Sequence, residues 1–209
     1  MLNIVMNFVR YIWNQFRKPT GLGGEFSTMV MNQMNKKQYQ AVLDNINVQL
    51  SDAILDIGFG NGYLLKKLLK LSPNIFAGID ISQDMVDKVS HTYQKEIKDN
   101  QLEISLADVK KLPYKNASFD KIYTVNTLYF WDDVEKSFAE IERVLKSWWI
   151  FLNVFYSKEF LNSLRYTNYG FSKYSLKEIQ DFTENSWLTV REVIPLSSKA
   201  FCIVAEKKL

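Results

Sequence analysis

Residues 54–62 read "ILDIGFGNG": a short apolar run, an acid, and glycines at every second position from Gly58 to Gly62. The run is followed by "YLLKKLLK" (63–70) at helical spacing, which predicts a buried strand, a tight turn and an amphipathic helix. Gly58 and Gly60 allow a backbone to approach a ligand with no Cβ in the way. Open α/β sheets hold ligands beyond the carboxyl ends of their strands, most often at the first strand–helix turn. A plain turn uses the same residues, so the meaning of this stretch depends on its companions.

From Ser51 onward, short apolar runs alternate with amphipathic segments. The runs are 53–58, 75–80, 102–108, 119–126, 150–156, 188–196 and 200–206, and helical patterns fill 61–71, 82–98, 133–146 and 175–186. That alternation predicts a doubly wound α/β fold with a mostly parallel, seven-stranded sheet covered on both faces. Only "SSK" (197–199) separates the last two runs, so the final strand should turn back antiparallel. Residues 1–50 read as an N-terminal helical extension or cap, and residues 51–209 as the ligand-binding domain. Within the extension, Leu2, Val5, Val9, Ile12, Trp13 and Phe16 recur at helical spacing, and "RKPTGLGGEF" (17–26) is a Pro/Gly break. The first helix is expected to pack on the domain, with membrane-surface contact through residues 1–17 as the lesser reading. It is too short and polar to span a bilayer.

The 209 residues are 47% hydrophobic and 23% charged, with a formal net charge of +3. This is a globular composition, far from the footprint of a dedicated nucleic-acid binder. The single cysteine, Cys202, lies in "AFCIVAE" and reads as a small core residue, and the only histidine is His91. No zinc or iron set can be assembled from one Cys and one His, so no metal is expected. A cytoplasmic protein is expected, and a homodimer fits the chain equally well.

The companions of the glycine turn follow in order. Asp56 stands two residues before Gly58, and a carboxylate there suits an ammonium group better than a pyrophosphate. A dinucleotide fingerprint would require a third glycine where Tyr63 stands. The second strand ends in Asp80, placed to accept both hydroxyls of a ribose, with Ser82 as the N-cap of the next helix. Ile81 and Met85 offer apolar surface to a purine. Asp108 closes the third strand, flanked by Ala107 and Val109, and Asn126 closes the fourth. Tyr129, Phe130 and Trp131 follow at that strand's carboxyl end, where aromatic residues line a cleft or pack beneath a loop.

"ILDIGFGNG", "GIDISQDMV", "LADVKKLPYKNASFDKIYTVNTLYFW" and "IERVLK…IFLN" together resemble the class I S-adenosylmethionine-dependent methyltransferases. They are most similar to the small-molecule group that includes ubiquinone/menaquinone-biosynthesis-like enzymes. The resemblance spans about residues 51–156 and implies a Rossmann-like methyltransferase fold. It implies that Asp56 with Gly58, Gly60, Asn61 and Gly62 holds the methionine part of S-adenosylmethionine. Asp80 would take the ribose, Ile81 and Met85 the adenine face, and Asp108 with Ala107 and Val109 the adenine edge. Asn126 would lie near the methyl group, and S-adenosylhomocysteine would be the product. Displacement at an activated methyl needs alignment above all. If a base is required, Tyr129 and Asp132 are the nearest candidates. Tyr129, Trp131, Tyr166 and Tyr169 are expected to face a small-molecule acceptor, and no basic, aromatic-rich stripe suggests nucleic acid. An NAD-binding oxidoreductase and a non-catalytic adenosyl-binding module are the alternatives.

The chain departs from the family pattern at its tryptophans. Trp148 and Trp149 replace a Pro-Gly-Gly-like turn after "ERVLK", and Trp187 stands where a glycine conventionally leads into the sixth strand. Glycine is favoured at such helix ends because it tolerates the left-handed conformation. Glycine and tryptophan codons can differ by one base, so all three are expected to be substitutions for glycine or sequence errors, with an apolar pocket or partner surface as the functional alternative.

Overall fold

A computed structural model describes residues 32–71, 74–168 and 170–208. The expected helix over residues 1–17, the break at 17–26 and Tyr169 therefore lie outside the described residues. Seven strands form one sheet in the order β3-β2-β1-β4-β5-β7-β6. They are β1 (Ala53–Ile57), β2 (Ile75–Asp80), β3 (Leu102–Leu106), β4 (Phe119–Val125), β5 (Leu145–Tyr156), β6 (Leu188–Ser197) and β7 (Ala200–Lys207). The first five run parallel, and β7 pairs antiparallel with both β5 and β6. The terminal hairpin expected from "SSK" is present. The order reverses at β1, so the carboxyl ends of β1 and β4 diverge and leave a crevice there.

Helices α1 (Lys36–Asn45), α2 (Tyr63–Leu69), α3 (Gln83–Thr92), α4 (Gln94–Lys98), α5 (Val134–Val144), α6 (Lys158–Ser163) and α7 (Leu176–Asn185) surround the sheet. Strand alternation divides the core. Ile54, Phe76, Leu152, Val154 and Cys202 meet Val42 of α1, Leu65 of α2 and Val89 of α3. Leu55, Ile57, Ile122, Phe151 and Phe155 meet Phe138 and Ile141 of α5 and Ile179 of α7 on the other face. Every residue of β1 is buried, as a strand covered on both sides requires. Cys202 is a core residue, and burial raises its thiol to about 12.

Two local features differ from expectation. The helical pattern over 82–98 is broken at Tyr93, which leaves the helical conformation and divides α3 from α4. Strand β5 begins at Leu145 rather than at 150, and its pairing with β4 jumps from Phe119↔Leu145 to Lys121↔Ile150. The extra residues form a bulge that contains Trp148 at φ 70. Trp187 follows the end of α7 at φ 65, and its N–H donates to the Glu184 carbonyl at 3.2 Å. Both tryptophans thus hold left-handed conformations, as their glycine-like positions imply. Trp149 does not: it has no positive φ, and its half-buried ring packs on the core with Lys121 Nζ 5.4 Å from its centroid. It is a packed strand residue, without the left-handed backbone of the other two.

Candidate functional site

The tips of β1, β2, β3 and β4 open into a cleft. Asp56, Gly58, Gly60, Asn61, Asp80, Ile81, Ala107, Asp108, Val109 and Asn126 all line it, although they are scattered over the sequence. The glycine turn is tied to the second strand: Gly58 N–H donates to the Ile79 carbonyl at 2.8 Å, and Gly60 N–H donates to Asp80 Oδ2 at 2.9 Å. Ser82 N–H donates to Asp80 Oδ1 at 2.9 Å, so both oxygens of Asp80 are aimed by backbone donors. A glycine is required at position 58. Its φ is +79, and a Cβ there would lie 2.3 Å from the Thr127 methyl.

Three expected cofactor or catalytic positions fall elsewhere. Gly62 is the left-handed N-cap of α2, where a Cβ would stand 3.2 Å from Val89, so its role is close packing of α2 against α3. Met85 is turned inward from α3 and joins the core beneath it. Asp132 faces solvent, where Lys110 Nζ holds it at 2.6 Å. It lines neither cleft.

The cleft's electrostatics are one-sided. Asp56, Asp80 and Asp108 stand on three successive strand tips, and no Lys or Arg lines the cleft among the described residues. Asp56 is 3% exposed and accepts a hydrogen bond from Tyr123 Oη at 2.6 Å. Burial raises its carboxyl from 3.8 to about 8; the Tyr123 hydrogen bond lowers it, and the neighbouring Asp80 adds to the rise. Tyr123 is pushed well up by its own burial and by Asp56, and burial raises Tyr39 of α1 to about 12. This corner has two protonated phenols around a carboxyl that is costly to ionise without a cation.

A second, apolar cleft adjoins the first and shares Asn35, Asn126 and Phe130 with it. Of the residues expected on the acceptor side, Tyr129 and Tyr166 line it, whereas Trp131 lines the first cleft and stacks edge-on against Phe138 at 5.7 Å. Tyr129 is buried, and that burial raises its hydroxyl well above the ordinary range. The hydroxyl donates to Asn126 Oδ1 at 3.0 Å and accepts the Tyr156 N–H. So engaged, Tyr129 fixes Asn126 and is not free to take a proton. Asn126 has φ 58, a conformation Asn tolerates better than most residues, and its Nδ2 donates to Asn35 Oδ1 at 3.0 Å.

Sequence reasoning missed Asn35, Tyr39, Tyr123, Thr127 and Tyr156. Asn35 and Tyr39 come from "MNQMNKKQY" (31–39) on the opposite side of the chain from their partners. Tyr123 is concealed in the apolar alternation of β4. Among the described residues no group of three or more His, Cys, Asp or Glu could hold a metal ion. No described helix is long and apolar enough to cross a membrane.

Residues 55–148 match a family model described as a methyltransferase domain. An uncharacterized methyltransferase of Bacillus subtilis, YdaC, is 26% identical over 118 residues, covering 56% of this chain and 63% of the relative. The chain thus spans less than two-thirds of that relative's length. A Haloferax volcanii protein solved in complex with the Trm112 methyltransferase activator superposes with TM-score 0.78 at 19% identity, over 89% of this chain and 96% of that one. A SAM-dependent methyltransferase from Aquifex aeolicus gives TM-score 0.66 at 22% identity, over 80% and 88%. Residues 55–148 are thus similar to methyltransferase domains, and the chain has the fold of solved S-adenosylmethionine-dependent methyltransferases.

Proposed function

We propose that this chain transfers a methyl group from S-adenosylmethionine to a small-molecule acceptor. The observation that carries the reading is the acidic character of the first cleft: the carboxyl groups of Asp56, Asp80 and Asp108 at the strand tips, Asp56 ionising once a cation arrives, and no cationic side chain among the described lining residues. That lining suits a ligand bearing an ammonium and a sulfonium and opposes a pyrophosphate. Asp56 would receive the ammonium, with the 58–61 turn along the methionine chain. Asp80 would receive the ribose hydroxyls, and Ile81, Ala107, Asp108 and Val109 would surround the adenine.

When bound, S-adenosylmethionine would supply a methyl carbon on a positively charged sulfur: the sulfur would keep the pair of the broken bond, the acceptor's lone pair would form the new one, and any proton on the acceptor atom would leave to water. The chain's own share is alignment and exclusion of water. Asn126, fixed by Asn35 and Tyr129 where the two clefts join, would orient the reacting end of the acceptor. Asp132 and Tyr129 have no part as bases in this reading, because one is paired in solvent and the other is locked. Calorimetry with S-adenosylmethionine, S-adenosylhomocysteine and NAD tests the reading. Binding of both adenosyl compounds is expected. Binding of NAD alone would overturn it, and tight adenosyl binding without turnover over an acceptor panel would indicate a non-catalytic module.

A further inference from the structure

We propose that the second cleft takes an uncharged aromatic acceptor whose polar substituent is received by Asn35, Asn126 and Tyr156. This rests on the methyl-transfer reading and adds the acceptor's chemical class to it.

The walls are rings. Tyr129, Phe130, Tyr156, Phe160, Tyr166 and Phe171 line the cleft. Phe130 and Phe171 lie 5.0 Å apart, Tyr156 and Phe160 4.9 Å, and Tyr166 meets Phe171 edge-on at 6.2 Å. These tilted and edge-on arrangements present ring faces and edges that suit a flat guest. Leu161 and Leu164 complete the apolar surface, and every described lining residue is neutral. A charged guest would lose its hydration here and gain no countercharge.

The polar groups gather at one end. Asn35 is 5% exposed, and its Oδ1 accepts from Asn126 Nδ2 at 3.0 Å and from Tyr156 Oη at 3.2 Å. The Thr167 hydroxyl is occupied elsewhere, donating to the Leu161 and Leu164 carbonyls. Asn35 and Asn126 also line the first cleft, so the polar end is the end that opens toward the cofactor side. Neutral amides and hydroxyls both donate and accept, so the cluster can hold a hydroxyl, carbonyl or ring nitrogen. A guest seated by its ring thereby presents its heteroatom where the two clefts meet.

The test uses the protein saturated with S-adenosylhomocysteine and four probes of similar shape: naphthol, naphthoate, naphthylmethylammonium and naphthalene. Calorimetry should show naphthol binding at least about ten-fold more tightly than either charged probe. Leu164→Glu, which places a carboxylate on the cleft wall, should reverse the order in favour of the ammonium probe, with S-adenosylhomocysteine affinity reporting that the variant is folded. Asn35→Ala should weaken naphthol more than naphthalene. If S-adenosylhomocysteine binds but naphthol fails to, or the charged probes match it, the acceptor class is wrong and the methyl-transfer reading stands. If S-adenosylhomocysteine itself does not bind, both fall.

Discussion

Replacing Trp187 by glycine should make the protein more stable, although it removes the largest side chain there is. Trp187 sits at φ 65 immediately after the C-cap of α7, and it is 85% exposed. An L-residue in that conformation carries a penalty of about 1–2 kcal/mol. Glycine returns roughly 0.5–1 kcal/mol of this through the greater freedom of its unfolded chain. An 85% exposed ring buries almost nothing relative to a realistic denatured ensemble. The balance is a gain of about 0.5–1 kcal/mol, which for a domain of this size raises Tm by roughly 1–4 °C. Trp148→Gly should move the same way by less, because Trp148 is 58% exposed and loses some packing. Trp149→Gly is the control. Its ring is half-buried against the core and Lys121, so its removal should cost about 2–4 kcal/mol. Differential scanning calorimetry of the three variants decides the matter. A lower Tm for Trp187→Gly, or a shift of the same sign for Trp149→Gly, would refute the strain argument.

The raised Asp56 carboxyl sets a pH dependence. Without ligand the group is protonated below about 8, whereas the unfolded carboxyl ionises near 3.8. The native state therefore holds more protons across that window, and stability falls as pH rises through it. Tyr39, Tyr123 and Asp80 face this group, and none of them supplies a cation. An ammonium-bearing ligand should expel the proton, so S-adenosylhomocysteine affinity should rise from about pH 6 to about 8, and Asp56→Asn should flatten the profile. Equal affinity across that range in the parent protein would refute the placement of the ammonium. Gly58→Ala should abolish S-adenosylhomocysteine binding and lower Tm, because the new Cβ meets Thr127 at 2.3 Å; Gly60→Ala, with nothing within 4 Å, should keep the fold. Asp132→Asn should leave turnover unchanged, since the side chain lies outside both clefts. A loss of turnover as large as that of an active-site variant would restore Asp132 as a base. Tyr129→Phe should cost about 1–3 kcal/mol by leaving the Tyr156 N–H without its acceptor. An unchanged urea midpoint would show that this N–H finds another partner.

What the sequence disclosed and what it concealed divide along contact range. Asp56, Gly58, Gly60 and Asp80 lie at the ends of strands whose apolar runs are unmistakable, so local pattern places them beside the cleft. The hairpin is equally plain, because three residues between two apolar runs leave few other routes. Asn35 is different: its partners are Asn126 and Tyr156, at separations of 91 and 121 residues. Nothing in "MNQMN" reveals that its helix crosses β4, β5 and β7 to reach the cleft. Met85 shows a second limit. Helical phase places it on the inner face of α3, but whether that face meets the core or a ligand depends on how α3 tilts over the sheet. The tryptophans show a third. Trp148 and Trp149 are adjacent in the same bulge, yet only the first holds a left-handed φ, while the second packs its ring on the core.

Asn126 has an implication for the order of events. Its single amide belongs to both walls, and its left-handed backbone is pinned by the Val154 carbonyl, which accepts its N–H at 2.8 Å. The amide therefore has little freedom to adjust to one occupant without altering what the other meets. Two guests that share one wall are thermodynamically linked, and the linkage is reciprocal. Whatever factor the first guest imposes on the affinity of the second, the second must impose on the first.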